Sequence, residues 1–327
     1  MTVMPFTNNF GVSLPLAVWL ATDDYDGYSP EENYISVSTL LKSVRQITLG
    51  KRLKPGEAMI PDVAEQLASR FGTALHKAIE ESWTKGPQKA LKELGYPARV
   101  IDNIIINPKD GEEIPEGKIP LWFEYRTQRE FGGWIISGEF DMSFDWAVHD
   151  IKSTKVYAYI KGTNDKKYVE QLSMYKWLNP DKIKHDAGYI EYLFKDFSAK
   201  KALSDKTYPP LEVVQVAFPL LSTVETEGFI SRKLNLIDLH KETPEAELPL
   251  CDKDELWQKE PEYKYFAKVD AKRSTKNFQH DKAGAYALLA AKGTGVVKEI
   301  MGEATACLYC PVRNNCSQFK VLHPEKA

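Results

Sequence analysis

The chain of 327 residues is long enough for one large domain or two ordinary ones, and 43% apolar with 27% charged residues leaves material for a sizeable core. A net charge of −3 and a pI near 6.1 exclude nucleic-acid binding by overall charge; any positive surface has to be gathered locally. The opening stretch MTVMPFTNNFGVSLPLAVWL is apolar but lacks a basic flank and runs into Asp23 and Asp24. That pattern argues against a signal peptide or a membrane span and places the protein in the cytoplasm.

Taken in chain order, YISVSTLLKSVRQITLGKRL (34–53) reads as a helix entered at Ser36 or Ser38, with Leu40, Leu41, Val44 and Ile47 on its apolar stripe. PDVAEQLASRFGTALHKAIEESW (61–83) is a stronger helix, opened by Pro61 and Asp62, with Val63, Leu67, Phe71, Leu75 and Ile79 four apart. A short helix in 86–96 closes at Gly95, and a polar loop spans Asn107 to Lys118. From Leu121 the period changes to two. LWFEYRTQREF, then Gly132-Gly133, then WIISGEFDMSFDW predicts a β-hairpin with a two-residue turn, followed by AVHDIKS as a third strand. A helix in KYVEQLSMYKWLN stops at Pro180; DAGYIEYLF and LEVVQVAFPL are strands; STVETEGFISRKLNLIDLHKE is a helix. Helices, a mostly antiparallel sheet and further helices make an α/β or α+β chain in one elaborated domain.

The segment GEFDMSFDWAVHDIKSTK (138–155) carries the chemistry. Asp150 and Lys152 are two apart on a strand and project together, while Ile151 faces the core. Such a pair is either a simple ion pair or half of a metal site. Gly138 lets another group approach the backbone closely. Hairpin pairing brings Asp141 beside Asp150, and two carboxylates suit a hard divalent ion such as Mg²⁺ or Mn²⁺. Glu139 is expected to face away from Asp141, outside the metal shell, and Glu124 and Glu130 have no assigned role.

These motifs resemble the PD-(D/E)xK nuclease superfamily, in its RecB-like exonuclease branch. Over residues from about 36 to 180, GTALHKAIE supplies His76, GEFD supplies Asp141, DIK supplies Asp150 and Lys152, and QLSMY supplies Gln171 and Tyr175, in the family's order. The resemblance implies a restriction-endonuclease-like core at about 36–220, a mixed central sheet flanked by helices, and a helical, cluster-bearing region at about 221–327. It also implies metal-dependent DNA cleavage, as an exonuclease of the phage-encoded type. Two ions would be held by His76, Asp141, Asp150 and the Ile151 carbonyl, with Lys152 assisting and with Gln171 and Tyr175 orienting Lys152 and a phosphate. DNA, single- or double-stranded, is the implied partner, with a recombination or replication protein as another and no membrane. KSTKVYAYIKG and KYFAKVDAKRSTKNF alternate cations with aromatics suited to bases, although each also reads as a solvated face. A catalytically silent DNA-binding scaffold of the same fold, and an iron–sulfur or four-cysteine zinc protein with no DNA partner, are the alternatives.

The chain has four cysteines, Cys251, Cys307, Cys310 and Cys316, and three fall within ten residues as CLYCPVRNNC. Clustered thiols in a reducing compartment point to metal: a zinc site with four thiolate ligands or a [4Fe–4S] cluster. The C-terminal triplet with one distant cysteine resembles the iron–sulfur staple of RecB-like nucleases, as in AddB-type helicase–nucleases and CRISPR-associated exonucleases. In those relatives the isolated cysteine precedes the nuclease core, whereas Cys251 follows it.

Overall fold

The computed structural model describes residues 6–22, 31–54 and 56–326, so Asp23 and Asp24 lie outside the described residues. The chain forms two compact units, residues 1–42 with 60–238 and residues 43–59 with 239–327. No helix among the described residues is long and apolar enough to cross a membrane.

The first unit is a mixed α/β body. Its strands are β1 (Tyr34–Ser36), β2 (Ile104–Ile106), β3 (Ile119–Phe131), β4 (Trp134–Phe144), β5 (Ala147–Thr154), β6 (Ala187–Phe194) and β7 (Val213–Pro219). They pair in the order β2-β3-β4-β5-β6-β7, and β1 adds to β4. The β2–β3, β1–β4 and β5–β6 pairs are parallel and the rest antiparallel. The Gly132-Gly133 turn has φ of 58° and 79°, the two positive values that a tight hairpin of matching twist requires. One edge of β4 is divided: β1 takes Ile135 to Ser137 and β5 takes Met142 to Phe144, so residues 138–141 have no ladder partner on that side.

The helices in chain order are α1 (Leu14–Ala21), α2 (Val37–Leu40), α3 (Val44–Arg52), α4 (Leu67–Thr84), α5 (Gln88–Glu93), α6 (Ala98–Ile101), α7 (Val156–Lys161), α8 (Asp165–Leu178), α9 (Ala199–Ser204), α10 (Thr223–Leu239), α11 (Lys282–Lys292) and α12 (Ser317–Leu322). Between the parallel strands β5 and β6, α8 is the crossover, and its Leu172, Met174 and Tyr175 are buried.

Two sequence expectations change here. The helix expected over 34–53 is divided into α2 and α3, because Ser43 starts a new helix by accepting the Gln46 amide at 3.0 Å, as Ser36 accepts that of Thr39 at 3.2 Å. The break falls where the chain passes from one unit to the other. The apolar stripe of 63–79 is not one buried face. A four-residue interval turns about 40° further round a helix at each step. Val63, in a 3-10 turn ahead of α4, is buried, whereas Leu67 and Phe71 on α4 itself are 56% and 46% exposed.

The second unit holds α3, a three-stranded sheet of β8 (Glu262–Phe266), β9 (Lys276–Asn277) and β10 (Val296–Ile300), and the cysteines. Tyr263, Tyr265, Val297 and Ala285 of α11 form one core, and Leu49, Leu248, Val312, Cys316 and Phe319 another.

Candidate active site

Three adjacent strands set three carboxylates in one row. Phe123 pairs with Met142 and Tyr125 with Phe140, so Glu124 and Asp141 stand opposite each other across the β3–β4 hairpin. Met142 pairs with His149, which sets Asp141 beside Asp150. Neighbouring strands lie about 4.8 Å apart, and like charges directly opposite each other repel. Neither acidic pair is joined in the ladder, and Glu124 has a φ of 43°, in the left-handed region. A row of this kind calls for cations.

The protein supplies two. His76 of α4 lies over the row, its Nε2 3.2 Å from the Ile151 carbonyl oxygen and 3.6 Å from Asp141 Oδ2. Its Nδ1 is 3.5 Å from Glu124 Oε1. The second cation is Lys152, whose Nζ is 2.5 Å from Oδ2 of Asp150, a side chain only 1% exposed. That contact is a charge pair; Asp150 Oδ2 accepts no well-directed hydrogen bond among the described residues. The Ile151 amide donates to Asp141 Oδ2 at 2.7 Å, and Ile151 itself is buried between the two site residues that flank it.

From α8, Gln171 Nε2 donates to Asp150 Oδ1 at 3.2 Å and to the Tyr175 hydroxyl at 2.9 Å. The family resemblance implies that Gln171 orients Lys152; the side chain reaches Asp150 instead, and Lys152 lies over the Tyr168 ring at 5.8 Å from its centre. Gly138 explains how α8 comes so near. A Cβ there would stand 2.6 Å from Leu178 Cδ1, 3.0 Å from Val37 Cγ2 and 3.2 Å from Tyr175 Cε1.

Charge balance follows from this geometry. Burial, then the Asp150 charge, push the Asp141 carboxyl up to about 7. Burial alone would lower His76, but Glu124, Asp141 and the Ile151 carbonyl outweigh it and hold the imidazole up to about 9. Lys152 is also opposed by burial and raised by Asp150 and Asp141, so it stays an ammonium. Burial holds the Tyr175 phenol well above its ordinary value.

The expectation that Glu139 faces away from Asp141 does not hold. Residues two apart on a strand share a face, and what occupies Glu139 is Arg126, its cross-strand neighbour, at 2.5 Å. Glu124 is the residue that sequence reasoning left without a role. Its signal was present: Glu124 and Asp141 are equally far from the Gly132-Gly133 turn, so a two-residue hairpin has to pair them. His76, Glu124 and Asp141 each offer a ligand atom within 4.8 Å of the others. With Asp150 and the Ile151 carbonyl, the set is oxygen-rich with one nitrogen, which fits Mn²⁺ or Mg²⁺. Of the two basic stretches, KSTKVYAYIKG runs from β5 into α7, where Tyr157 is 65% exposed. In the other, Lys264 pairs with Glu262 at 3.0 Å and Lys276 covers the Phe278 ring at 4.8 Å.

In the second unit Cys251, Cys307, Cys310 and Cys316 line one cavity. Arg45 of α3, 1% exposed, donates from Nε to Cys316 Sγ at 3.2 Å and from Nη1 to the Leu248 carbonyl at 3.1 Å, and pairs with Glu245. Gln318 clamps the Cys251 backbone, accepting its amide and donating to its carbonyl, each at 2.9 Å. Burial pushes the Cys251 thiol up, and burial with the other three sulfurs pushes Cys307 up to about 11. Four thiols lining one cavity would become thiolates together with a metal among them, and four sulfur donors are the set of either zinc or an iron–sulfur cluster.

No family model matches the sequence, and no curated protein matches it. Among solved structures, one titled "Crystal structure of SSO0001" aligns with a TM-score of 0.40 and 18% identity, over 69% of this chain and 88% of that one. A likeness that distant assigns neither a fold nor a function.

Proposed function

We propose that this chain is a divalent-metal-dependent deoxyribonuclease, an exonuclease of the PD-(D/E)xK type, with a structural [4Fe–4S] cluster in its second unit. The observation that carries the reading is the side-by-side placement of Asp141 and Asp150, with Lys152 on one of them and His76 over the other. The strand order β3-β4-β5, the α8 crossover and the parallel β6 support a restriction-endonuclease-like core. His76, Asp141, Asp150 and the Ile151 carbonyl would hold the metal, which when bound supplies a Lewis acid for a phosphate oxygen and an acidified water. Lys152 offsets negative charge developing on the phosphate. Gln171, tied to Tyr175, keeps the Asp150 carboxylate from turning away. In the second unit, the four thiols on one cavity and the Arg45 N–H bond to Cys316 support the cluster, whose role is to clip the C-terminal segment in place.

The test is cleavage of end-labelled single- and double-stranded DNA with Mn²⁺, resolved on a gel. The parent should shorten the label progressively from one end, and Asp150→Ala should lose cleavage while keeping its circular dichroism spectrum. A folded Asp150→Ala protein that cleaves as the parent does removes this site from consideration.

A further inference from the structure

Glu124 and His76 form a unit that the acidic motifs do not account for. The two ring nitrogens of His76 point apart. The Nε2 side carries the Ile151 carbonyl oxygen at 3.2 Å, Asp141 Oδ2 at 3.6 Å and, one strand further along, Asp150. The Nδ1 side carries Glu124 Oε1 at 3.5 Å. A divalent cation goes where oxygen donors are densest, and that is the Nε2 side. The other nitrogen then needs an acceptor for its proton, and Glu124 is in place. We propose that Glu124 is a positioning residue: it accepts the Nδ1 proton of His76 and so presents the Nε2 lone pair to a divalent cation shared with Asp141 and the Ile151 carbonyl. The inference rests on the metal-dependent reading above and deepens it.

Two further features bear on this. A metal-bound imidazole whose second nitrogen donates to a carboxylate is held in one tautomer and made more basic, which strengthens the metal bond. The left-handed backbone at Glu124, φ 43° within a long strand, is costly for a residue with a side chain. It falls at the one position of β3 that stands opposite Asp141.

The experiment measures Mn²⁺ binding without DNA, by the electron paramagnetic resonance of free Mn²⁺, in the parent, Glu124→Ala and Glu124→Gln. Alongside it, ¹⁵N NMR of histidine-labelled protein saturated with Mg²⁺ locates the His76 proton, assigned by its loss in His76→Gln. Glu124→Ala should weaken Mn²⁺ about 10- to 100-fold. Glu124→Gln, whose amide oxygen still accepts the Nδ1 proton, should recover most of that loss. In the parent the proton should be on Nδ1. A proton on Nε2, or Glu124→Gln as damaging as Glu124→Ala, would make Glu124 a direct ligand and overturn the proposal. Unchanged binding by folded Glu124→Ala overturns it too. If the parent binds Mn²⁺ with this Glu124 dependence yet cleaves no DNA, the nuclease reading fails alone. If Asp150→Ala abolishes cleavage while Glu124→Ala binds Mn²⁺ normally, only the role of Glu124 fails.

Discussion

Substituting Gly138 by alanine should both destabilise the first unit and slow cleavage, through one added methyl group. The new Cβ would lie 2.6 Å from Leu178 Cδ1, 3.0 Å from Val37 Cγ2 and 3.2 Å from Tyr175 Cε1. Leu178 can relieve its share by changing rotamer. Val37 is β-branched and 1% exposed, and the Tyr175 ring is 5% exposed, so neither has room to give. Overpacking of this kind costs about 1–3 kcal/mol. At about 2–4 °C per kcal/mol for a unit of this size, the melting temperature should fall by roughly 2–12 °C. The relief that remains is for α8 to back away from β4, and that carries Tyr175 and Gln171 off Asp150. Gly188→Ala is the control. Its Cβ would meet Val148, Leu172 and Leu220 at 2.9–3.2 Å, so it should destabilise similarly; it presses on α8 through Leu172, but it meets neither Tyr175 nor Leu178, the two α8 side chains that Gly138→Ala crowds. Thermal melts and single-turnover cleavage on both variants decide the matter, with Gly138→Ala losing more activity than its stability loss shared with Gly188→Ala explains. Parent-like melting of Gly138→Ala would refute the packing argument outright.

In metal-free protein the contribution of this site to stability should fall as pH rises from about 4 to about 9. Asp141, held up to about 7, and His76, held up to about 9, bind protons more tightly folded than unfolded, so their contribution is complete below the unfolded values and is lost above the folded ones. In EDTA, the melting temperature of the parent minus that of Asp141→Asn should fall as pH rises from about 4 to about 7; a difference that rises with pH would contradict the assignment. Protein purified without oxygen should be brown, with about four irons per chain, and Cys251→Ser should lose the colour as fully as Cys310→Ser. One zinc and no iron would sink the cluster, and an unchanged spectrum in Cys251→Ser would remove that cysteine from its ligands.

Local patterns carried much of the first unit. Alternation along 121–153 and the Gly132-Gly133 turn specify the hairpin and its register, since a two-residue turn leaves no freedom to slip. That register puts Glu124 opposite Asp141, the second two-residue turn at Asp145-Trp146 puts Asp150 beside Asp141, and Ser36, Ser43 and Asp62 mark helix starts by chemistry that acts within three residues. The spacing of Cys307, Cys310 and Cys316 likewise groups those three thiols, and the fold brings Cys251 onto the same cavity. What remained hidden depends on parts of the chain far apart in sequence. The direction of Gln171, toward Asp150 rather than Lys152, follows from how closely α8 settles on Gly138. Arg45 reads as an ordinary charge on an amphipathic helix, yet it is buried, because Glu245 and Cys316, 200 and 271 residues away, supply its partners. Helical periodicity could not say which face of α4 would be covered, because an apolar stripe states only what can be buried. Burial needs a surface to receive it, and for α4 that surface is β5, which brings His76 over the acids and leaves Leu67 and Phe71 in solvent.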